Sequence, residues 1–136
     1  RFEYNTIITP RKYVLRVLRE GNFDQMQNNH FANNLIVYGN LGQVLNHSAK
    51  VRPDAVRLKH NYWHNSQSPS KSIPRLNFPL QGDIAAGDPK LDAKGKPALP
   101  AAKPYGAHAA AVAKAFEPYT KNFKWAWTWA KQFENR

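Results

Sequence analysis

The sequence has no cysteine, which excludes a disulfide framework and any thiolate metal site and argues against a small secreted, disulfide-built domain. Acids are scarce too. Nine Asp and Glu stand against 20 Lys and Arg, for a formal net charge of +11. The imbalance owes as much to missing acids as to abundant bases, since no basic run is longer than a pair such as Arg11-Lys12. A chain built to neutralise phosphate carries denser clusters. Long apolar runs are also absent: Leu35-Ile36-Val37-Tyr38 and the stretch from Trp125 to Ala130 fall far short of the roughly 20 residues that cross a bilayer.

The same poverty limits the chemistry. Asp83, Asp88 and Asp92 are scattered through a stretch rich in Ala, Lys, Gly and Pro, a poor platform for paired carboxylates. The serines at 48, 66, 68, 70 and 72 lack the glycine-flanked elbow of a nucleophile, and Gly39-Asn40-Leu41-Gly42 is neither a phosphate loop nor a dinucleotide fingerprint. His60 and His64 stand four apart, a zinc-like spacing on a helix, yet they lack helical context and a third ligand, so they read as polar loop residues. Asn46-His47-Ser48 forms a glycosylation sequon, with nothing else pointing to secretion. These absences predict a protein that is not an enzyme, with no catalytic residue, no metal and no cofactor.

What is present suits one domain at most. Of 136 residues 42% are hydrophobic, and ten prolines with seven glycines interrupt them. Thr9-Pro10 reads as a helix start, with Tyr13, Val14, Val17 and Leu18 on one face, Arg11, Lys12, Arg16 and Arg19 mostly elsewhere, and Gly21 as the stop. A second helical pattern runs over 23–38, where Phe23, Met26, His30 or Phe31, Leu35 and Tyr38 recur at helical spacing before Gly39. Periodicity fades over 50–80, which reads as extended chain with isolated anchors at Tyr62, Trp63 and Ile73. Residues 82–106 have linker chemistry. An alanine-rich helix follows from 107 until Pro118, and residues 119–136 place Tyr119, Phe123 and Trp127 on one line and Trp125, Trp129 and Phe133 on another, although Phe123 to Trp129 also alternates as a strand does.

The predicted fold is therefore mainly α with long extended and irregular segments: short helices wrapped on a larger assembly, without an independent core. The chain divides into short N-terminal helices (1–49), an extended anchor and linker (50–106) and a C-terminal aromatic helix (107–136). Clustered aromatics that such a chain cannot cover mark an interface.

Leu58-Lys59-His60-Asn61-Tyr62-Trp63, followed after nine residues by Ile73-Pro74, resembles the central motif of a small matrix-side accessory subunit of mitochondrial respiratory complex I. Asn61, Tyr62, Ile73 and Pro74 match that pattern, Trp63 replaces an aromatic, and Ser66-Gln67 and Pro69-Ser70 stand where the family has charged pairs. The resemblance covers residues 58–75. It implies a non-catalytic, structural protein that stabilises the assembly of NADH:ubiquinone oxidoreductase, an electron-transport complex of the respiratory chain.

The expectation is accordingly a subunit on the matrix side of the mitochondrial inner membrane, bound to other subunits of a large hetero-oligomer. Tyr62, Trp63, Ile73 and Pro74 would form the middle contact, and Phe123, Trp125, Trp127 and Trp129 the C-terminal one. Arg11, Lys12, Arg16 and Arg19 would meet acidic protein surface or lipid headgroups, without a transmembrane span. Arg1 in place of an initiating Met fits removal of a targeting segment. The alternative is a mitochondrial ribosomal protein, with those basic groups on rRNA phosphates and the tryptophans stacked on bases.

Overall fold

The computed structural model describes residues 1–18, 28–47 and 51–122. It overturns the mainly α expectation. Among the described residues nine short strands form three sheets in which every strand pair is parallel. The first circuit of chain lays down β1 (Phe2–Glu3), β2 (Thr6–Ile8) and β3 (Leu15–Val17); the second lays down β4 (Asn29–Ala32), β5 (Leu35–Tyr38) and β6 (Leu45–His47). The third supplies β7 (Val56–Lys59) and β8 (Tyr62–Asn65), and β9 (Leu80–Gln81) opens a fourth.

Each strand pairs with its counterpart one circuit later, giving sheets β1-β4-β7-β9, β2-β5-β8 and β3-β6. A chain that winds so that successive turns pair side by side is a parallel β-helix, and these circuits are its coils. Strand pairing joins residues on both sides of position 50, for example β4 with β7.

Register stacks like side chains on like positions. Phe2 sits over Phe31 with ring centroids 5.3 Å apart and planes 2° from parallel. Phe31 pairs with Leu58, and Leu58 with Leu80. Ile7, Ile36 and Trp63 form the next column, and Leu15 over Leu45 a third. The core that these columns enclose includes Phe31, Ile36, Tyr38, Leu58, Trp63 and Phe78, all buried. The expectation of no independent core is therefore corrected as well.

The helical spacing over 23–38 has a physical explanation. Between β4 and β5 the chain turns a two-residue corner, so the strict alternation of a strand breaks there. Phe31, Leu35 and Tyr38 come out four and three residues apart, which imitates a helix face. Residues 23–27 lie outside the described residues. The basic stretch 11–18, likewise read as a helix, contains β3 instead, with Arg11, Lys12 and Arg16 exposed and the Arg16 guanidinium 5.9 Å from the Tyr13 ring centroid.

Residues 82–106, read as a linker, pack along the outer face of sheet β2-β5-β8. Leu35 and Tyr62 on that face are covered by Ile84, Leu91, Leu99, Ala102 and Tyr105. The strap spans the coils: Ile84 bridges Tyr62, the Gly106 amide donates to the Asn33 carbonyl at 2.9 Å, and the Ala107 amide donates to Thr6 Oγ1 at 3.1 Å. Beyond it, α1 (Ala110–Asn122) continues past Pro118, where the sequence predicted a break. No helix among the described residues is long and apolar enough to cross a membrane.

Two predictions arise from this packing. Gly106 has φ +75°, and a Cβ there would lie 2.5 Å from Thr6 Oγ1 and 2.8 Å from Leu35 Cβ. Gly106→Ala will lift the strap from the first two coils and cost about 1–3 kcal/mol, measured by urea unfolding together with faster hydrogen exchange at residues 106 and 107. The second prediction concerns pH. Burial raises the phenol pKa values of Tyr38, Tyr62 and Tyr105 above the ordinary value of 10.0. A phenol whose folded pKa is raised contributes stability that is fully present below the unfolded pKa and lost as pH rises through the folded one. Absorbance at 295 nm will therefore show a late phenolate fraction that appears together with loss of structure, above pH 10.

Candidate ligand groove and the ladder that supports it

The corner between the first and second sheets repeats in every coil. Tyr4, Asn33, His60 and Gly82 occupy it with φ of 57°, 55°, 52° and 66°, a left-handed conformation that costs most residues about 1 kcal/mol or more. The residue after each is Asn5, Asn34, Asn61 or Asp83, and these side chains hydrogen-bond from coil to coil. Asn5 donates its backbone N–H (2.9 Å) and its Nδ2 (3.0 Å) to Asn34 Oδ1. Asn34 donates the same two groups to Asn61 Oδ1 at 3.1 and 2.9 Å. Asn61 repeats the pattern onto Asp83 Oδ1 at 3.2 and 2.8 Å.

The ladder ends on an acceptor-only side chain, and Asp83 Oδ1 also receives Trp63 Nε1 at 2.8 Å. Asn34 and Asn61 are fully buried, where an unpaired amide is expensive. Here both N–H groups of each are used. An amide is the right chemistry because it accepts from one coil and donates to the next.

With its corners pinned, the stack presents the longer connections that follow β5 and β8. The turn after β5 (residues 39–44) and the loop after β8 (residues 66–77) are the walls of a groove of about 1030 Å3. The walls are tied to each other. The Asn40 amide donates to Gln67 Oε1 at 2.9 Å, and the Ser66 amide donates to the Tyr38 carbonyl at 2.8 Å. Asn65 Oδ1 accepts the amides of Gln67 and Ser68 at 3.0 and 2.9 Å and so fixes the start of the loop. The Tyr38 hydroxyl donates to the Ser72 carbonyl at 2.8 Å, locking the floor to the far end of the loop. Burial raises the Tyr38 phenol pKa, with a hydrogen bond to Asn65 opposing the shift.

The lining is mostly polar, with Leu41, Val44, Ile73 and Leu76 between the polar groups, and its charges are of one sign. Asn40, Gln43, Ser68, Ser70 and Asn77 offer amides and hydroxyls, while Lys71 and Arg75 supply fixed positive charge. His47 also faces the groove, with Nε2 3.3 Å from Asn77 Nδ2. No carboxylate is among the described lining residues.

The sites expected from sequence are distributed otherwise. Tyr62 and Trp63 are buried in β8 inside the chain's own packing. Ile73 is exposed and Pro74 buried, both at the groove. Arg19, Phe123, Trp125, Trp127 and Trp129 lie outside the described residues. His60 occupies a corner and His64 a strand, so their spacing does not place them on a helix face, and no metal-binding group of His, Asp or Glu occurs among the described residues. Sequence reasoning passed over Lys71 and Arg75, which fall within the stretch 50–80 read as extended chain.

No protein-family model matches this chain, and neither a curated protein nor a solved structure does.

Proposed function

We propose that this β-helix binds an anionic polysaccharide along the groove between the turn at 39–44 and the loop at 66–77. One observation carries the reading: a groove with neutral hydrogen-bonding walls, two fixed cations and no described carboxylate. Sugar hydroxyls donate and accept at once, and amide and hydroxyl side chains do the same. Lys71 and Arg75 suit carboxylate or sulfate groups spaced along the polymer. The volume lies at the upper end of the range for small-ligand pockets, about 300–1,000 Å3, which fits several sugar rings in an extended chain.

A nucleic acid fits less well. Single-strand binding draws on aromatic stacking platforms and a dense cationic track, whereas the groove's own phenol, Tyr38, is buried with its hydroxyl engaged. The expected respiratory-chain subunit was inferred from a chain without a core, and that premise is gone. What supports it now is the short resemblance, whose Asn61, Tyr62 and Trp63 are occupied within the coil stack.

Titration of the full chain with polygalacturonate, a neutral dextran and single-stranded RNA tests the reading. Polygalacturonate is expected to bind, dextran not to, and the double variant Lys71→Ala/Arg75→Ala is expected to lose about tenfold or more in affinity. Tight RNA binding, or polygalacturonate binding unchanged in the variant, would move the ligand elsewhere.

A further inference from the structure

The ladder has an open rung. Each later rung, Asn34, Asn61 and Asp83, uses Oδ1 to accept two N–H groups from the coil before it. Asn5 donates in the same way, yet its own Oδ1 accepts from none of the described residues. In the same coil β1, β2 and β3 are each the outermost strand of their sheet, paired on one side only among the described residues. A strand edge of that kind presents a row of free N–H and C=O groups.

The apolar column is open at the same place. Phe2 stacks on Phe31 through one face and remains 46% exposed. Beside it lies a cleft of about 330 Å3 whose apolar wall includes Leu15, Val17, Phe31 and Val56. Three independent features of one coil therefore stop at one surface: sheet edges, amide ladder and aromatic stack.

We infer that the β1-β2-β3 face is a docking surface for one further parallel coil of polypeptide. Its occupant has a defined chemistry. It carries an apolar residue in register with Phe2 and, three residues later, an asparagine whose N–H and Nδ2 donate to Asn5 Oδ1. That is the arrangement by which the first coil meets the second, with Phe2 over Phe31 and Asn5 on Asn34, so the contact continues an interface already present. Parallel strand addition supplies the backbone hydrogen bonds, and the two side-chain positions supply the register.

Hydrogen exchange on the full chain is the first measurement. The amides of β1, β2 and β3 that face away from the second coil are expected to exchange freely; protection there would overturn the proposal, because the chain would already cover this face. A duplicate of residues 31–57 is then joined directly ahead of Phe2, so that the copied Phe31 and Asn34 fall in register with Phe2 and Asn5. Those amides are expected to become protected and Tm to rise by about 4 °C or more. Replacing the copied Asn by Ala is expected to remove most of the gain. Should the extended chain fail to fold, the octapeptide copying residues 31–38 is added to the unmodified protein, with its control carrying Ala for the second Asn. Protection by the first peptide and not by the control supports the coil; protection by neither, or equally by both, overturns it.

Discussion

Asn61→Leu will strip the chain of most of its stability, although leucine has the same branched side-chain skeleton as asparagine. The change orphans the backbone N–H of Asn34, one of its two Nδ2 hydrogens and the Phe31 carbonyl, which accepts Asn61 Nδ2 at 3.0 Å, while Asp83 Oδ1 keeps Trp63 Nε1 and the backbone N–H of residue 61. At about 1–3 kcal/mol for each of these three orphaned groups, the loss is roughly 3–9 kcal/mol, against a total of about 5–15 kcal/mol for a typical domain. Urea unfolding followed by circular dichroism measures it. Asn5→Leu, at the open end of the ladder, removes only the Nδ2 donations to Asn34 Oδ1 and the Glu3 carbonyl and is expected to cost about 1–2 kcal/mol. Equal losses at the two positions would mean that the ladder does not bind the coils together. Asn61→Asp separates the two roles of the amide: it still accepts from Asn34, but it sets a carboxylate beside Asp83 in place of a donor, so its loss is expected to approach that of leucine.

Trp63→Ala will cost about 3–5 kcal/mol from the cavity alone. The indole is buried, with its ring centroid 6.5 Å from that of Phe31 and 6.2 Å from that of Tyr38, the latter edge-on at 89°. Its Nε1 also serves Asp83, so one more hydrogen bond is lost. Trp63→Phe keeps an aromatic body in the column and removes only that bond and part of the volume, for about 1–2 kcal/mol. Thermal unfolding of the isolated chain reads both. This experiment also weighs the two placements of Trp63. An anchor to a partner could be cut back to alanine without harming the isolated chain. A core indole cannot.

Part of the coil chemistry is legible in the sequence. The corner residues Asn5, Asn34 and Asn61 recur 29 and 27 positions apart, and that recurrence is the signal for coils. It is weak for a physical reason. A β-helix constrains only the two to four residues of each strand and the corner beside them, while its connections vary freely in length. The next step, Asn61 to Asp83, is 22 residues, so no fixed period exists for the eye to follow. The groove is harder to see. Gln67 and Asn40 meet across 27 residues of sequence, and Lys71 and Arg75 in isolation are ordinary surface charges.

Composition and local chemistry by themselves determined that this protein has no thiol chemistry, carries a strong positive charge, and builds on short elements broken by proline and glycine. Only the tertiary structure decided that those elements are strands, that residues 82–106 are a strap, and that Tyr62 and Trp63 face inward and not toward a partner. The reason is that a parallel strand satisfies its backbone with residues a whole coil away. Local spacing therefore carries no record of the pairing, and the side chains that look unpartnered along the sequence find their partners in the coils stacked on either side.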